Sequence, residues 1–290
     1  MDRYTIADLE KLTGIMAGTI RIWERRYRII KPHRTDTNRR WYDDDDLKRI
    51  LNISILYRHG LKISKIAELT GPQITEQVAI LTKDTNDSDT QIDSLIAGMA
   101  DFSEIAINDI LVRSIINRGF EETFESIVFP FLKRVGIMWH TGSVDIGAEH
   151  FVSNIFRKRL IAAIDSLPRT DRPDRKRVIL YLPENELHEL GLLFFAFAVV
   201  KAGHEEVYLG QSTPFNALAD VADRWHADII ITGALTGLPF GRPEDYIARL
   251  SSAFTGRKIL VSGALAPVAV KKAYPNVFAV SSLNELKKHL

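Results

Sequence analysis

Five short apolar runs in the second half of the chain restrict the fold more than any other feature of the sequence. Stretches of helical length separate them, and they occupy residues 178–182, 206–209, 229–231, 258–261 and 277–280. Short, mostly apolar runs of this kind are typical of strands that are buried on both faces. Strands that alternate with helices form a parallel sheet, and ligands then bind beyond the carboxyl ends of its strands. We therefore predict a doubly wound α/β domain over residues 173–290.

The middle of the chain has a different periodicity. From about residue 91 to residue 167 the apolar residues recur at intervals of three and four positions, which is typical of amphipathic helices. Two polar segments, 82–90 and 168–176, flank this pattern and are interpreted as linkers, the first of which carries its own helix-capping residues. We predict a helical bundle over residues 76–172, preceded by a separate domain over residues 1–75.

The N-terminal domain contains the elements of a helix-turn-helix. A capping segment at residues 5–8 can begin a first helix, and Gly14 can end it in the left-handed conformation. A second helix is predicted over residues 19–27, where Ile20 and Trp23 share a face that packs inward. Two short helices joined by a tight turn form the framework of this motif.

The opposite face of the second helix and the segment after it are basic. Arg21 and Arg25 share a helix face that could reach the major groove of DNA or its phosphates. The polar segment 32–42 suits a β-hairpin wing, in which Arg39 and Arg40 would touch the DNA backbone. The pattern therefore predicts a winged helix-turn-helix.

The composition excludes several classes of protein. The chain has no cysteine, which excludes disulfides, thiolate metal sites and cysteine nucleophiles. It has no apolar run long enough to span a membrane and no signal segment at its start, so we expect a cytoplasmic protein. No nucleophile elbow or phosphate-binding glycine pattern is present, and we expect no enzyme activity. Although the net charge is +1, residues 1–65 carry 15 Lys and Arg against 9 Asp and Glu, as a phosphate-binding surface would. Four of those acids form the block 43–46, which can cap a helix.

Three segments of the N-terminal domain occur in a characteristic order: Thr5-Ile6, residues 19–27, and Arg39-Arg40-Trp41-Tyr42. In this order they resemble the MerR family of transcriptional regulators over about residues 3–70. The resemblance implies a domain that binds double-stranded operator DNA. The DNA-binding residues that it implies are Arg21, Arg25, Arg26, Tyr27, Arg39 and Arg40. The usual metal-responsive type of this family is excluded, because that type requires thiolate ligands.

The segment after the first predicted strand of the α/β domain places a histidine beside a carboxylate. His188 lies at the carboxyl end of that strand, where ligands bind in such folds. Glu186, two residues earlier, could fix the tautomer of the imidazole and raise its basicity as a metal ligand. Gly191 would let the backbone approach a large planar ligand.

This segment, Glu186-Leu187-His188-Glu189-Leu190-Gly191, resembles the fingerprint of cobalamin-binding domains, which are Rossmann-like. The resemblance implies that His188 is the lower axial ligand of cobalt and that Glu186 takes the place of the usual aspartate. Thr232-Gly233-Ala234-Leu235 stands where Ser-x-Leu is expected, so either Thr232 substitutes for the serine or the hydroxyl is missing. Ser262-Gly263-Ala264 stands where Gly-Gly is expected, with Gly263 as the retained glycine. The extra methyl group could be tolerated or could block the nucleotide tail of the cofactor.

The bundle carries Trp139-His140 and, after eight further residues, Glu149-His150. In this order, ahead of His188, they resemble the four-helix cap of the CarH-type repressors, which are adenosylcobalamin-dependent photoreceptors. The resemblance implies that Trp139, Glu149 and His150 contact the adenosyl side of a cofactor held between the four-helix bundle and the α/β domain. It also implies that His140 becomes a cobalt ligand once light has removed the adenosyl group.

These resemblances predict a light-responsive repressor, with carotenoid synthesis as the usual target of the family. They imply a homo-oligomer, a dimer or more specifically a tetramer, that holds operator DNA in the dark and releases it on illumination. Two alternatives are open. In the first, the chain is a MerR-type regulator whose degenerate cobalamin domain serves for oligomerisation or partner docking. In the second, it is a component of a cobalamin-dependent enzyme, although the sequence leaves no room for a catalytic barrel.

Overall fold

The structure is a computed structural model that describes most of the chain. The described residues are 4–35, 38–84, 87–140, 146–169, 173–235, 242–271 and 274–290, without the side chains of residues 79, 82–84 and 137–140. The chain forms two compact units, Met1–Ile155 and Phe156–Leu290. The finer division into three domains at residues 1–75, 76–172 and 173–290 stays a prediction.

The N-terminal region is a winged helix-turn-helix, as predicted. Its elements are α1 (Ile6–Thr13), α2 (Ala17–Tyr27), β1 (His33–Arg34), β2 (Arg40–Trp41), α3 (Asp44–Arg58), α4 (Ile63–Ile66) and α5 (Gly71–Asp84). The two strands pair antiparallel and form the wing. Ile20 and Trp23 of α2 are buried, as their shared face requires.

Side-chain caps set the starts of α1 and α3. The backbone N–H of Thr5 donates to the carboxylate of Asp8 at 2.7 Å, while the Thr5 hydroxyl accepts from the Asp8 backbone. Asp43 and Asp46 form the same reciprocal box at the start of α3. Gly14 ends α1 with a φ of 71°, a conformation that glycine adopts without strain. The predicted capping role of the acidic block is therefore confirmed.

The middle of the chain is helical. Its elements are α6 (Ser88–Ala100), α7 (Glu104–Arg118), α8 (Phe120–Thr123), a π-helical turn (Phe124–Val128), α9 (Phe129–His140) and α10 (Ile146–Asp165). Because α8, the π-turn and α9 run on without a break, the segments add up to four helices, as predicted. Phe124, Phe131 and Val135 are fully buried along the third of them.

Segment 82–90 contains the predicted helix-capping residues, but the linker is shorter than predicted. Helix α5 continues to Asp84, and α6 already begins at Ser88. The polar residues at the start of α6 are its cap, because the carboxylate of Asp87 accepts from the backbone N–H of Thr90 at 2.9 Å. The predicted capping role is therefore confirmed, whereas polarity alone could not show how far the helices extend into the segment.

The α/β unit contains all five predicted strands. Its elements are β3 (Arg177–Pro183), α11 (Leu190–Lys201), β4 (Glu205–Thr213), α12 (Phe215–Arg224), β5 (Ile229–Ala234), α13 (Pro243–Ala253), β6 (Lys258–Gly263), α14 (Ala266–Lys271), β7 (Val277–Ala279) and α15 (Leu283–Lys287). The strands form one parallel sheet in the order β4-β3-β5-β6-β7. The chain places β4 on one side of β3, and β5, β6 and β7 on the other side. In such a sheet the crevice that suits a ligand lies beyond the carboxyl ends of β3 and β5.

Within the described residues, no helix has both the length and the apolarity that crossing a membrane requires.

Candidate functional site

A buried carboxylate organises the loop that follows β3. Glu186 is only 4% exposed, and one of its oxygens accepts from the backbone N–H of His188 at 2.9 Å. The other oxygen accepts from the backbone N–H of Leu235, just past the end of β5, also at 2.9 Å. One side chain therefore ties the ends of two neighbouring strands together at the predicted ligand crevice.

The charge on Glu186 is stabilised by these contacts. Burial by itself opposes ionisation, but the hydrogen bonds from the ring and backbone of His188 and from Leu235 outweigh it and lower the pKa of Glu186 to about 2. The carboxylate is therefore ionised at neutral pH and can accept a hydrogen bond from a protonated ring nitrogen.

His188 presents its ring at the protein surface. Its Nδ1 lies 2.6 Å from the Glu186 carboxylate, and its side chain is about half exposed. A carboxylate partner of this kind holds the proton on Nδ1, so coordination of a metal by His188 would use Nε2. Gly191, the last residue of the predicted fingerprint, lies in the first turn of α11, and a Cβ there would meet no atom within 4 Å.

Strand β4 supports this loop from the side. Its backbone N–H at Ser212 donates to the carbonyl oxygen of Glu186 at 3.1 Å, and the side chain of Gln211 donates to the carbonyl oxygen of Leu187 at 2.6 Å. The pairing of β4 with β3 shifts register here, and Gly210 and Ser212 both have positive φ, 74° and 49°. The irregular end of β4 thus supplies hydrogen-bonding groups that a regular strand would have used in the sheet.

A second buried carboxylate follows the histidine directly. Glu189 is 5% exposed and accepts from Arg157 at 2.6 Å and from the hydroxyl of Tyr208 at 2.8 Å. Burial and the neighbouring Glu189 charge raise the pKa of Tyr208, so its hydroxyl stays protonated and donates. These contacts attach the loop to α10 and β4.

The departures from the expected Ser-x-Leu element lie at the end of β5. The hydroxyl of Thr232 is fully buried beside that of Tyr181 and makes no hydrogen bond of normal geometry. A Cβ on Gly233 would lie 2.2 Å from the Oγ of Ser262, the residue opposite it on β6. The hydroxyl of Ser262 therefore fills the space that a serine side chain at position 233 would occupy.

Gly263 ends β6 in a position that only glycine can take. Its φ is 62°, and a Cβ would lie 2.1 Å from the carbonyl oxygen of Ala234. The next residue, Ala264, donates its backbone N–H to that same carbonyl at 2.7 Å. The strand ends β5 and β6 are therefore packed backbone against backbone, which explains why a glycine occurs here.

The bundle residues that the resemblance singled out lie at the end of α9 and the start of α10. Trp139 and His140 are the last residues of α9, and their side chains lie outside the described part of the structure. Glu149 and His150 lie in the first turns of α10, where the Glu149 carboxylate contacts His150 Nδ1 at 2.7 Å. Their role toward a ligand stays a prediction.

The predicted DNA-contacting side chains of α2 point to solvent. Arg21, Arg25 and Arg26 are exposed, while Tyr27 is half-buried and lies under the guanidinium of Arg26 at 5.7 Å. This exposure keeps the cations available to phosphate or to base edges.

The wing places further basic residues beside α2. Arg39 and Arg40 are exposed, and Arg40 also lies 3.8 Å from the buried carboxylate of Glu24 on α2. The hydroxyl of Tyr42 donates to Glu24 as well. This link between helix and wing was not predicted, because a glutamate within a basic helix gives no sign of whether it faces inward.

The wing also holds the only cluster of metal-ligating side chains found among the described residues, formed by His33, Asp43 and Asp46. Both carboxylates already cap α3, and the ring of His33 stacks on Trp41 at 4.3 Å. We interpret the cluster as a structural contact of the wing.

The N-terminal region matches a known family of DNA-binding domains. The family model described as MerR HTH family regulatory protein matches residues 4–71, which are the residues that form the winged helix-turn-helix. The N-terminal region is a MerR-type DNA-binding domain, and the chain is a transcriptional regulator.

Two curated relatives match most of this regulator. It is 28% identical over 271 residues to the HTH-type transcriptional repressor CarH of Myxococcus xanthus, covering 91% of this chain and 89% of the relative. It is 24% identical over 251 residues to the repressor CarA of the same organism, covering 86% and 81%. Both relatives are repressors, so the similarity supports a DNA-binding regulator and not an enzyme component.

A solved structure shares the fold of the larger part of this regulator. The monomethylamine corrinoid protein of Methanosarcina barkeri superposes with a TM-score of 0.57 at 12% identity, covering 70% of this chain and 98% of that chain. At this identity the likeness concerns the fold alone.

Proposed function

We propose that this regulator binds adenosylcobalamin on its α/β unit and that the bound cofactor makes its hold on operator DNA sensitive to light. The observation that carries the proposal is the pair of Glu186 and His188 at the carboxyl ends of the strands, with Nδ1 2.6 Å from an ionised carboxylate. We assign Nε2 of His188 as the lower cobalt ligand and Glu186 as the group that orients it.

The surrounding residues fit such a cofactor. Gly263 leaves a strand end without a side chain, and Ser262 supplies a hydroxyl in the place of the serine that is missing at Gly233. Thr232 adds a buried hydroxyl nearby. The similarity to the CarH and CarA repressors and the fold shared with a corrinoid protein support the same assignment.

Adenosylcobalamin would supply a cobalt–carbon bond that visible light breaks. By resemblance we assign Trp139, Glu149 and His150 to the adenosyl side of the cofactor and His140 as a second cobalt ligand after illumination. Arg21, Arg25, Arg26, Tyr27, Arg39 and Arg40 would contact the operator. Association into dimers or tetramers would raise DNA affinity, because each particle then holds several DNA-binding regions at high effective concentration.

Absorption spectroscopy of the purified full chain tests the proposal. After addition of adenosylcobalamin in darkness and removal of the excess, we expect a retained cobalamin spectrum that changes irreversibly under green light. His188→Ala should retain less cofactor, while Glu184→Gln, an exposed substitution in the same loop, should behave as the wild type. A wild-type chain that retains no cofactor would contradict the proposal.

The same spectrum decides a second candidate function. Because Gly233 carries no hydroxyl and Ala264 adds a methyl group where a glycine is expected, the α/β unit could instead serve for oligomerisation or partner docking without cobalamin. In that case the protein stays colourless and its DNA affinity does not depend on light.

A further inference from the structure

A fully buried aspartate joins the DNA-binding region to the helices that follow it. Asp93 lies in the middle of α6 and is 0% exposed. One of its oxygens pairs with Arg58, in the last turn of α3, and also accepts from the hydroxyl of Ser54. The other oxygen pairs with Arg134 of α9 at 2.7 Å. One carboxylate thus connects three helices, which we call the Asp93 junction.

The charges in this junction are closely coupled. Two guanidinium groups share the Asp93 carboxylate. Burial and the charge of Arg134 lower the pKa of Arg58, while the charges of Asp89 and Asp87 oppose this shift. Burial also lowers the pKa of Arg134 to about 10. If either arginine moves away, the remaining pair changes its electrostatic energy, since buried charges are screened weakly. The position of α9 therefore affects how firmly Asp93 holds Arg58.

Two of the helices that meet in the junction, α3 and α9, end near residues to which the proposed function gives a role. Helix α3 packs in the DNA-binding region, where its cap residue Asp43 contacts His33 of the wing. Helix α9 ends at Trp139 and His140, five and six residues after Arg134, and it follows a π-helical turn, a form of helix that is often found at functional sites.

We propose that Asp93 is a positioning residue that transmits the position of α9 to the DNA-binding region through Arg134 and Arg58. The contact itself is independent of any cofactor. The further step, in which a ligand bound near the end of α9 uses this contact to change DNA affinity, rests on the proposed function.

Hydrogen exchange of the full chain without cofactor tests the contact. In Arg134→Gln we expect the backbone amides of α3 to lose about tenfold in protection, because Arg134 then no longer fixes the orientation of the Asp93 carboxylate that Arg58 contacts. The amides of α7, which also packs on α6 but does not contribute to the junction, should change by less than about twofold. Arg113→Gln, a substitution of a partly exposed arginine on α7 that lies 3.9 Å from Asp109 and outside the junction, is the matched control and should leave both helices unchanged. Equal losses in α3 and α7, or none in α3, would overturn the proposal.

A double substitution separates coupling from general destabilisation. If Arg58 and Arg134 act through one carboxylate, the loss of α3 protection in Arg58→Gln/Arg134→Gln will differ from the product of the two single losses. A loss equal to that product would mean that the arginines act independently, and the proposal would fail.

Operator binding by the adenosylcobalamin-loaded chain tests the functional step. Arg134→Gln should keep the light-dependent change of the absorption spectrum but lose most of the light-dependent change in operator affinity. A variant that keeps the full change in affinity would remove the role of the junction in signalling. If the wild type shows no cobalamin spectrum at all, the proposed function fails, and the exchange experiment still decides the role of Asp93.

Discussion

In the DNA-binding region, residues 4–71, the arginines proposed to contact DNA are exposed to solvent on a short helix and a short hairpin. In the α/β unit the corresponding groups are half-buried or buried, and each depends on contacts from a strand that is distant in sequence. Arg25 is exposed on α2, whereas His188 is oriented by Glu186, which in turn is held by Leu235. The first region exposes positively charged side chains to solvent. The second holds the ring of His188 in a fixed orientation beside closely packed strand ends.

The difference has a consequence for mutations. Surface side chains that contact DNA can be removed with little loss of folding free energy. Side chains and glycines at the strand ends take part in packing and, under the proposed function, in ligand binding, so their substitution should change both. The following four predictions test this contrast, from the largest expected effect to the smallest.

The largest effect is expected at the end of β6. Gly263→Ala places a Cβ 2.1 Å from a carbonyl oxygen at a positive φ, and it should lower the free energy of unfolding by roughly 3 kcal/mol. Gly256→Ala, also at positive φ but with no atom within 4 Å, should cost about 1 kcal/mol. Urea unfolding of both variants measures the difference. Equal losses would show that the strand ends are not closely packed.

The next effect concerns the carboxylate that orients His188. Glu186→Gln removes the charge that holds the Nδ1 proton and should weaken cobalamin binding by about 10- to 100-fold, the usual effect of removing a partner of a metal-ligating histidine. Equilibrium titration followed by absorption measures it, with Glu184→Gln as the control. Unchanged affinity in Glu186→Gln would mean that His188 does not ligate cobalt through this pair.

In the DNA-binding region, a substitution should weaken operator binding without changing the free energy of unfolding. Arg25→Ala should weaken operator binding by about tenfold, the effect of losing one base-edge or phosphate contact. Its free energy of unfolding should stay within about 0.5 kcal/mol of the wild type. Fluorescence anisotropy with labelled operator DNA and urea unfolding measure the two quantities. Arg224→Ala, an exposed arginine of α12, should change neither, and a loss of stability in Arg25→Ala would break the contrast between the regions.

The smallest effect is expected for the hydroxyl on β6. Ser262→Ala should weaken cobalamin binding about threefold, in line with one neutral hydrogen bond of roughly 0.5–1 kcal/mol. The double variant Gly233→Ser/Ser262→Ala moves the hydroxyl to β5 and should restore the affinity. If the double variant binds no better than Ser262→Ala, the hydroxyl of Ser262 does not take the place of a serine at position 233.

Local patterns predicted most of the framework. The five apolar runs became five parallel strands because a strand buried on both faces requires apolar residues on both. The capping role of block 43–46 was also predicted, since a capping box needs residues only three positions apart. The extent of the linker 82–90 was predicted wrongly, because polar residues suit an exposed helix such as the end of α5 as well as a linker.

The sequence by itself determined the kinds of domain, the order of the strands along the chain and the residues that can carry charge or ligate a metal. Only the tertiary structure decided which of them meet: Glu186 with Leu235, Ser262 beside Gly233, and Asp93 between Arg58 and Arg134. The physical reason is that helix and strand periodicity are set by neighbours a few positions apart. Contacts between residues 29 or more positions apart, such as these, depend instead on strand register and helix packing, which no local pattern specifies.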